Sequence, residues 1–216
     1  MTQRLALAFP LALLALLAGC GSLTGPRDDF SIYVLEPPVQ RHGGAPVDWQ
    51  LLVEQPHTSD LLDGFRIVVA PNGNERQVYK GARWVERTPS MLQGIWVRAF
   101  ESDGRVPGAS RAGTGVRADL LLATDLTAFH AVERDGAAKV HVEVHARLVE
   151  PRDRRIRARD IFRAEVDAAG TSVPAVVEAF EAALVEINPA LIDWTVREGA
   201  HALATAAADA PVSPAQ

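Results

Sequence analysis

The chain has one cysteine in 216 residues, two tyrosines, two methionines and no surplus of positive charge. A single thiol can neither close an intramolecular disulfide nor build a thiolate zinc site, so stability has to come from a packed apolar core. Twenty-two Lys and Arg stand against 27 Asp and Glu, a formal charge of −5. The electrostatic footprint that phosphate backbones attract is missing, and no nucleic-acid partner is expected. No period of about 20–50 residues recurs, which excludes solenoids and propellers. There is no Gly-x-x-x-x-Gly-Lys-Ser/Thr loop, so the chain is not itself a P-loop ATPase. What remains is 48% apolar and 23% charged, with 16 glycines and 14 prolines. That composition describes a foldable protein of a size that one domain accommodates.

The amino terminus carries the first specific signal. Arg4 and the starting amine precede an uncharged stretch from Leu5 to Ala18 dominated by Leu and Ala. This stretch is shorter than the ~20 residues of a spanning helix and is interrupted by Pro10, so residues 1–19 read as an export signal. Leu17-Ala18-Gly19 then places small residues directly before Cys20, the only thiol. The tetrad resembles the lipobox of bacterial lipoproteins. That resemblance implies diacylglycerol on the Cys20 sulfur, cleavage before Cys20 and acylation of the new amine. Residue 21 is Gly and not Asp, which by the enterobacterial sorting rule implies the periplasmic face of the outer membrane. The alternative is a plain secretory signal that leaves Cys20 as an unpaired thiol in an oxidising compartment.

Residues 20–29 read as a lipidated tether and 30–201 as the folded domain, while the Ala-rich stretch 202–216, with Pro211 and Pro214, is expected to be disordered. Strand signals at Ser31–Leu35, Trp49–Glu54, Phe65–Ala70 and Arg76–Tyr79 are expected to pair antiparallel, the last two across Asn72-Gly73-Asn74. Thr88-Pro89 predicts a helix start with Thr88 as cap, and Leu92, Ile95, Trp96, Ala99 and Phe100 form one apolar stripe before Asp103-Gly104. Pro107–Gly115 reads as a loop. Ala118–Glu133, Lys139–Val149 and Ile156–Val166 then predict a three-strand meander with turns at Asp135-Gly136 and Pro151–Arg154. A last helix opens near Ser172 and Pro174, and Pro189 predicts a kink or break at Asn188. The fold class is therefore α/β: a single domain with a mixed, mostly antiparallel sheet, two main helices packed on one face and the other face in solvent.

The candidate chemical patterns are weak. His141-Val142-Glu143-Val144-His145 puts three metal-ligand types on one strand face, but residues four apart on a strand stand ~13 Å apart, too far for two imidazoles on one zinc. A neighbouring pair with a ligand from elsewhere stays open, and no metal is assigned. Gly113-Thr114-Gly115 opens a strand instead of a helix, which is the wrong context for a dinucleotide fingerprint. Gly108–Gly113 is one residue too long for a nucleophile elbow. No catalytic residue is assigned. The one charge asymmetry is Arg147, Arg152, Arg154, Arg155, Arg157, Arg159 and Arg163 against Glu150, Asp153 and Asp160. Pairing across the turn would place Arg155, Arg157, Arg159 and Arg163 beside His141, His145 and Arg147, a basic face for an acidic partner or lipid phosphates. A merely solvated face is the plainer alternative.

Ser31–Leu35, Leu51-Leu52-Val53-Glu54, Arg66-Ile67-Val68, Tyr79-Lys80-Gly81-Ala82-Arg83-Trp84 and Pro89 with Leu92-Gln93 together resemble the auxiliary lipoproteins of MCE-type ABC transport systems, the paraquat-inducible type included. The resemblance runs from about Tyr33 to Trp194, and the segment Tyr79-x-x-Ala82-Arg83-Trp84 is its most specific piece. The chain departs from it at Val78, where a second Tyr is common, at Gly81, where Asp or Asn is usual, and at Asn188-Pro189. The resemblance implies a non-catalytic periplasmic domain with no cofactor beyond its covalent lipid. It would dock with an MCE-domain protein while a separate permease and ATPase drive lipid or other hydrophobic cargo, and it leaves a homo-oligomer open. Arg83, Trp84 and the arginine-rich face are the candidate contact residues. The rival reading is a stand-alone envelope lipoprotein that binds a small ligand or a cell-wall component.

Overall fold

The computed structural model describes residues 30–38, 41 and 43–208. The signal, lipobox and tether, and the last eight residues, lie outside the described residues. Nine strands form one sheet: β1 (Ser31–Tyr33), β2 (Gln50–Val53), β3 (His57–Thr58), β4 (Arg66–Ala70), β5 (Gln77–Trp84), β6 (Gly108–Arg111), β7 (Leu120–Arg134), β8 (Ala137–Glu150) and β9 (Arg155–Asp167). Helix α1 spans Thr88–Asp103 and α2 spans Val173–Ala208.

The long strand β7 organises the sheet. One of its edges pairs antiparallel with β8, which in turn pairs antiparallel with β9. Its other edge is shared in sequence by β2, β3 and β4, all parallel to it. The meander is present as expected. Asp135 (φ 52°) and Gly136 (φ 79°) supply the two left-handed residues that a tight two-residue hairpin needs. Of the four early strands, however, only β4 and β5 pair antiparallel, whereas β1 runs parallel to β5. The expected loop after Pro107 contains β6, parallel to β2. The sheet is thus mixed, with its two longest ladders antiparallel.

Alternation decides which face is buried. Val140, Val142, Val144, Ala146 and Leu148 of β8 are buried beneath the helices, and His141, Glu143, His145 and Arg147 are turned the other way and partly exposed. Helix α1 carries its expected stripe, but Met91, Gln93, Gly94 and Val97 are buried as well, so it is enclosed on more than one side. Thr88 does not cap it. Arg87 occupies that position without a side-chain capping bond, its guanidinium pairing with Asp63 instead, and the Thr88 hydroxyl donates to the Gly64 carbonyl at 3.2 Å. Gly104, left-handed at φ 83°, ends the helix by donating its N–H to Phe100 O.

The expected break at Asn188 does not occur, because α2 is continuous from Val173 to Ala208. An interior proline costs about 3 kcal/mol. Here Ile187, Leu191, Ile192 and Trp194, all buried around it, hold both halves against the sheet. Residues 202–208 are likewise helical and not disordered, with Ala202 buried and Leu203 packed on the core. Alanine is the strongest helix former, and these two positions continue the apolar stripe.

One ion-pair network ties the helices together. Arg105 reaches Asp103 (Nε to Oδ1, 2.7 Å) and Asp193 of α2 (Nη2 to Oδ1, 2.6 Å), and the Asp103 side chain is fully buried. Removing the cation would take from that buried carboxylate the guanidinium it is paired with. Arg105→Ala is therefore expected to cost about 3 kcal/mol, measured as a lower urea midpoint with an unchanged slope.

Candidate functional site

The expected basic face is built by β7, β8 and β9. Register pairs His141 with Glu165, Glu143 with Arg163, and Arg147 with Arg159, so Arg147, Arg159 and Arg163 do share the wet face with the two histidines. Arg155 and Arg157 do not. A bulge between Leu148 and Val149 sets Leu148 against Ala158 but Val149 against Ile156. One extra residue inverts the parity of the strand, which turns Ile156 to the wet face and leaves Arg157, the extra residue, without a register partner. Arg157 instead binds Glu150 (Nη2 to Oε2, 2.6 Å) and Asp153 (2.7 Å), clamping the β8–β9 turn. Arg155 donates its backbone N–H to Asp153 Oδ1 at 2.9 Å, and its side chain projects into solvent.

The face is also less positive than the count of arginines suggests. Arg147 meets Asp125 at 2.7 Å, Arg163 meets Glu143 at 2.5 Å, His145 meets Glu143 at 2.7 Å and His141 meets Glu165 at 3.3 Å. Hydrogen bonds from His145, Arg163 and Thr127 hold the Glu143 carboxyl down to about 2. Among the described residues Arg159 makes no ion pair. It lines an open groove of about 880 Å³ together with His145, Arg147, Arg157, Ile156 and Ile161. Nearby, the His130 and His141 rings stack with centroids 5.8 Å apart. Burial first, then the Arg76 and His141 charges, push the His130 imidazole down to about 4.

That shift fixes the sign of an acid effect. Between the ordinary histidine value near 6.5 and about 4, the unfolded chain binds the proton and the folded chain does not. Stability is thus unaffected above that window, falls as pH is lowered through it, and levels below it. For a partly solvated ring the loss is on the order of 1 kcal/mol. His130→Gln should flatten this part of the stability-versus-pH curve, and His130 itself should titrate near 4 by NMR.

The structure does not bring Trp84 to any surface: it is 1% exposed and packed against Phe129 and Phe180. Its neighbour Arg83 points outward, in register with Ile32. The whole Tyr79–Trp84 segment is a packing device. The Tyr79 hydroxyl donates to Glu133 Oε1 at 2.6 Å, and burial together with that carboxylate pushes the phenol well above its usual range. Ladder pairing shifts from Arg66–Arg83 to Val68–Val78, which throws out a bulge containing Gly81 at φ 66°. A left-handed position tolerates Gly, Asn and Asp alike, which explains why glycine serves where Asp or Asn is usual.

Chemically this surface recognises and pairs charge. Among the described residues no group of three or more His, Cys, Asp and Glu side chains is placed to hold a metal ion, and no helix is long and apolar enough to cross a membrane. Sequence reasoning missed the Arg105–Asp193 bridge and the Tyr79–Glu133 bond, because both join residues far apart in the chain.

The same fold is found in a crystal structure of a Xanthomonas campestris protein of family DUF330, 33% identical, with a TM-score of 0.74 over 79% of this chain and 97% of that one. A second crystal structure, of an uncharacterized protein, shares the fold at 19% identity and a TM-score of 0.58, covering 76% of this chain and 97% of that one. These likenesses define the class: an open-sheet α/β domain with two helices on one face. The chain belongs to the family of ABC-type transport auxiliary lipoprotein components, whose model matches residues 33–190. An uncharacterized protein of Bradyrhizobium diazoefficiens is 25% identical over 185 residues, 84% of this chain and 49% of that one. The chain thus spans about half the length of that curated relative.

Proposed function

We propose that this chain is a non-catalytic accessory subunit of an MCE-type ABC transport system, anchored to the periplasmic face of the outer membrane by acyl groups on Cys20. The observation that carries the reading is the family match over residues 33–190. The lipobox tetrad Leu17-Ala18-Gly19-Cys20 supports it independently, since it supplies the single thiol that an anchor requires. Energy comes from a separate permease and ATPase, and the domain joins an MCE-domain protein that carries lipid or other hydrophobic cargo across the envelope. On the described surface, Arg83, Arg155 beside the β8–β9 turn and the wet-face residues Arg147, Arg159 and Arg163 are the contact candidates that retain exposure.

The test is affinity capture from native membranes in mild detergent, with the bound proteins identified by mass spectrometry. An MCE-domain protein is expected, accompanied by its permease and ATPase. Recovery of the intact lipidated chain with none of the three overturns the reading, and binding of peptidoglycan by the same preparation would replace it with a cell-wall role.

A further inference from the structure

We infer that the outer face of the β1–β5 edge rests on the lipid bilayer that holds the anchor. The inference rests on acylation at Cys20, as proposed above. Ile32 and Val34 lie on the same face of the chain at β1, and Tyr33 between them packs toward the core. On β5, Arg83 is the register partner of Ile32, and Val85 follows beside Val34, fixed by the bond from Val85 N–H to Tyr33 O at 2.9 Å. Trp84 and Ala82 point inward. The outer row therefore reads Ile32, Val34 and Val85, at 54%, 48% and 44% exposure, with Arg83 among them. Phe65, 43% exposed, stands opposite Trp84 in the antiparallel ladder and so belongs to the other side of this edge, outside the row. Val78 on the same strand is exposed too, so this edge gathers more large apolar side chains in solvent than any other part of the described surface. An apolar cluster of this kind marks a contact surface.

The length of chain before β1 says which surface it meets. Only residues 21–30 separate Cys20 from Ser31. Fully extended, that link spans at most about 40 Å, and as a flexible coil its ends lie about 20 Å apart on average. The first strand of the domain is thus delivered to the membrane by the covalent anchor itself. Apolar side chains tethered that close to a bilayer meet the interfacial region at high effective concentration. A second copy of the chain has no such constraint favouring it. The ion-paired surface of β8 and β9 lies on the same helix-free side but at the far end of the strand order from β1, so it is not the part that the tether delivers to lipid.

The lone native thiol makes the test direct, because acylated Cys20 leaves an introduced cysteine as the only labelling site. Full-length protein carrying Ile32→Cys, Val85→Cys or, as a control, Ile156→Cys is labelled with an environment-sensitive fluorophore. It is then reconstituted in nanodiscs of phosphatidylethanolamine and phosphatidylglycerol. Labels at 32 and 85 should shift to the blue by about 10–20 nm relative to the same protein in lipid-free buffer after a lipase removes the ester-linked acyl chains. Nitroxide-bearing lipid should quench them severalfold more than the label at 156. In an otherwise identical Val85→Cys protein, Ile32→Glu should remove most of the quenching. Equal, water-like emission at all three sites on protein whose mass shows intact acylation overturns this inference and leaves the anchor standing. Absence of acyl mass overturns both. Protection of 32 and 85 that rises with protein-to-disc ratio, without lipid quenching, assigns the edge to self-association and overturns the membrane contact.

Discussion

Truncating Trp84 to alanine is expected to lower the unfolding free energy by about 4 kcal/mol and the melting temperature by roughly 8–16 °C. The indole is 1% exposed. It meets Phe180 of α2 edge-on, with centroids 5.4 Å apart at 84°, and Phe129 of β7 at 6.0 Å, and these two phenyl rings lie 4.5 Å from each other. Three elements distant in sequence therefore converge on one side chain. Removing it opens a cavity that neighbours on rigid strands fill poorly, and it also deletes aromatic pair energy of about 1 kcal/mol per contact. Trp84→Phe should retain most of the packing and cost roughly half as much. The result separates two roles for the Arg83-Trp84 pair. A contact residue would leave stability intact and reduce capture of a partner, whereas a core residue lowers stability first and affects capture only as the fold is lost. Thermal unfolding of the two variants, set beside Arg83→Ala, reads the difference.

The same tryptophan shows what the sequence made legible. Its presence in a distinctive segment was plain, but its direction depended on pairing between β1, β4 and β5, which no local pattern encodes. The meander was readable because β7, β8 and β9 alternate cleanly and are joined by turns with their own chemistry, Asp135-Gly136 above all. The strands β3 and β6, of two and four residues, carry too few positions for any period to emerge, and they exist because β7 and β2 offer them edges. Helix α2 was readable as a stripe, yet its passage through Pro189 depends on buried contacts on either side. At the arginine-rich face, the number of cations was visible and their neutralisation was not. Asp125 stands 22 positions before Arg147, and only the β7–β8 ladder brings them together. The bulge at Leu148 matters most, because inserting one residue reversed Ile156 and left Arg157 without a register partner, a change that strict alternation cannot foresee.

Cys20→Ser is expected to abolish stable membrane association almost completely while leaving the fold of the domain unchanged. The substitution keeps size but replaces the sulfur proposed to accept diacylglycerol with a hydroxyl that would not. Each buried methylene contributes about 0.8 kcal/mol, so one acyl chain gives only marginal, reversible binding, and two or three give retention. The variant loses all of them at once, since cleavage and amine acylation both follow the first step. The domain should not register the loss: its buried core is built from residues between Leu35 and Trp194, none of them near Cys20 in the chain. Mature wild-type protein should carry the added mass of diacylglycerol and an N-acyl group and float with outer-membrane vesicles. Cys20→Ser should lack that mass, float poorly and melt at the same temperature. Gly21→Asp, which leaves the thiol in place, should keep the lipid and shift the protein toward the inner membrane. The β1–β5 edge alone, a few half-exposed side chains, is too small to replace the anchor, so residual binding by Cys20→Ser should vanish on dilution. Wild-type protein with an unmodified Cys20, or a Cys20→Ser variant that still floats at high dilution, would remove the anchor from this account and with it the reason for the tether.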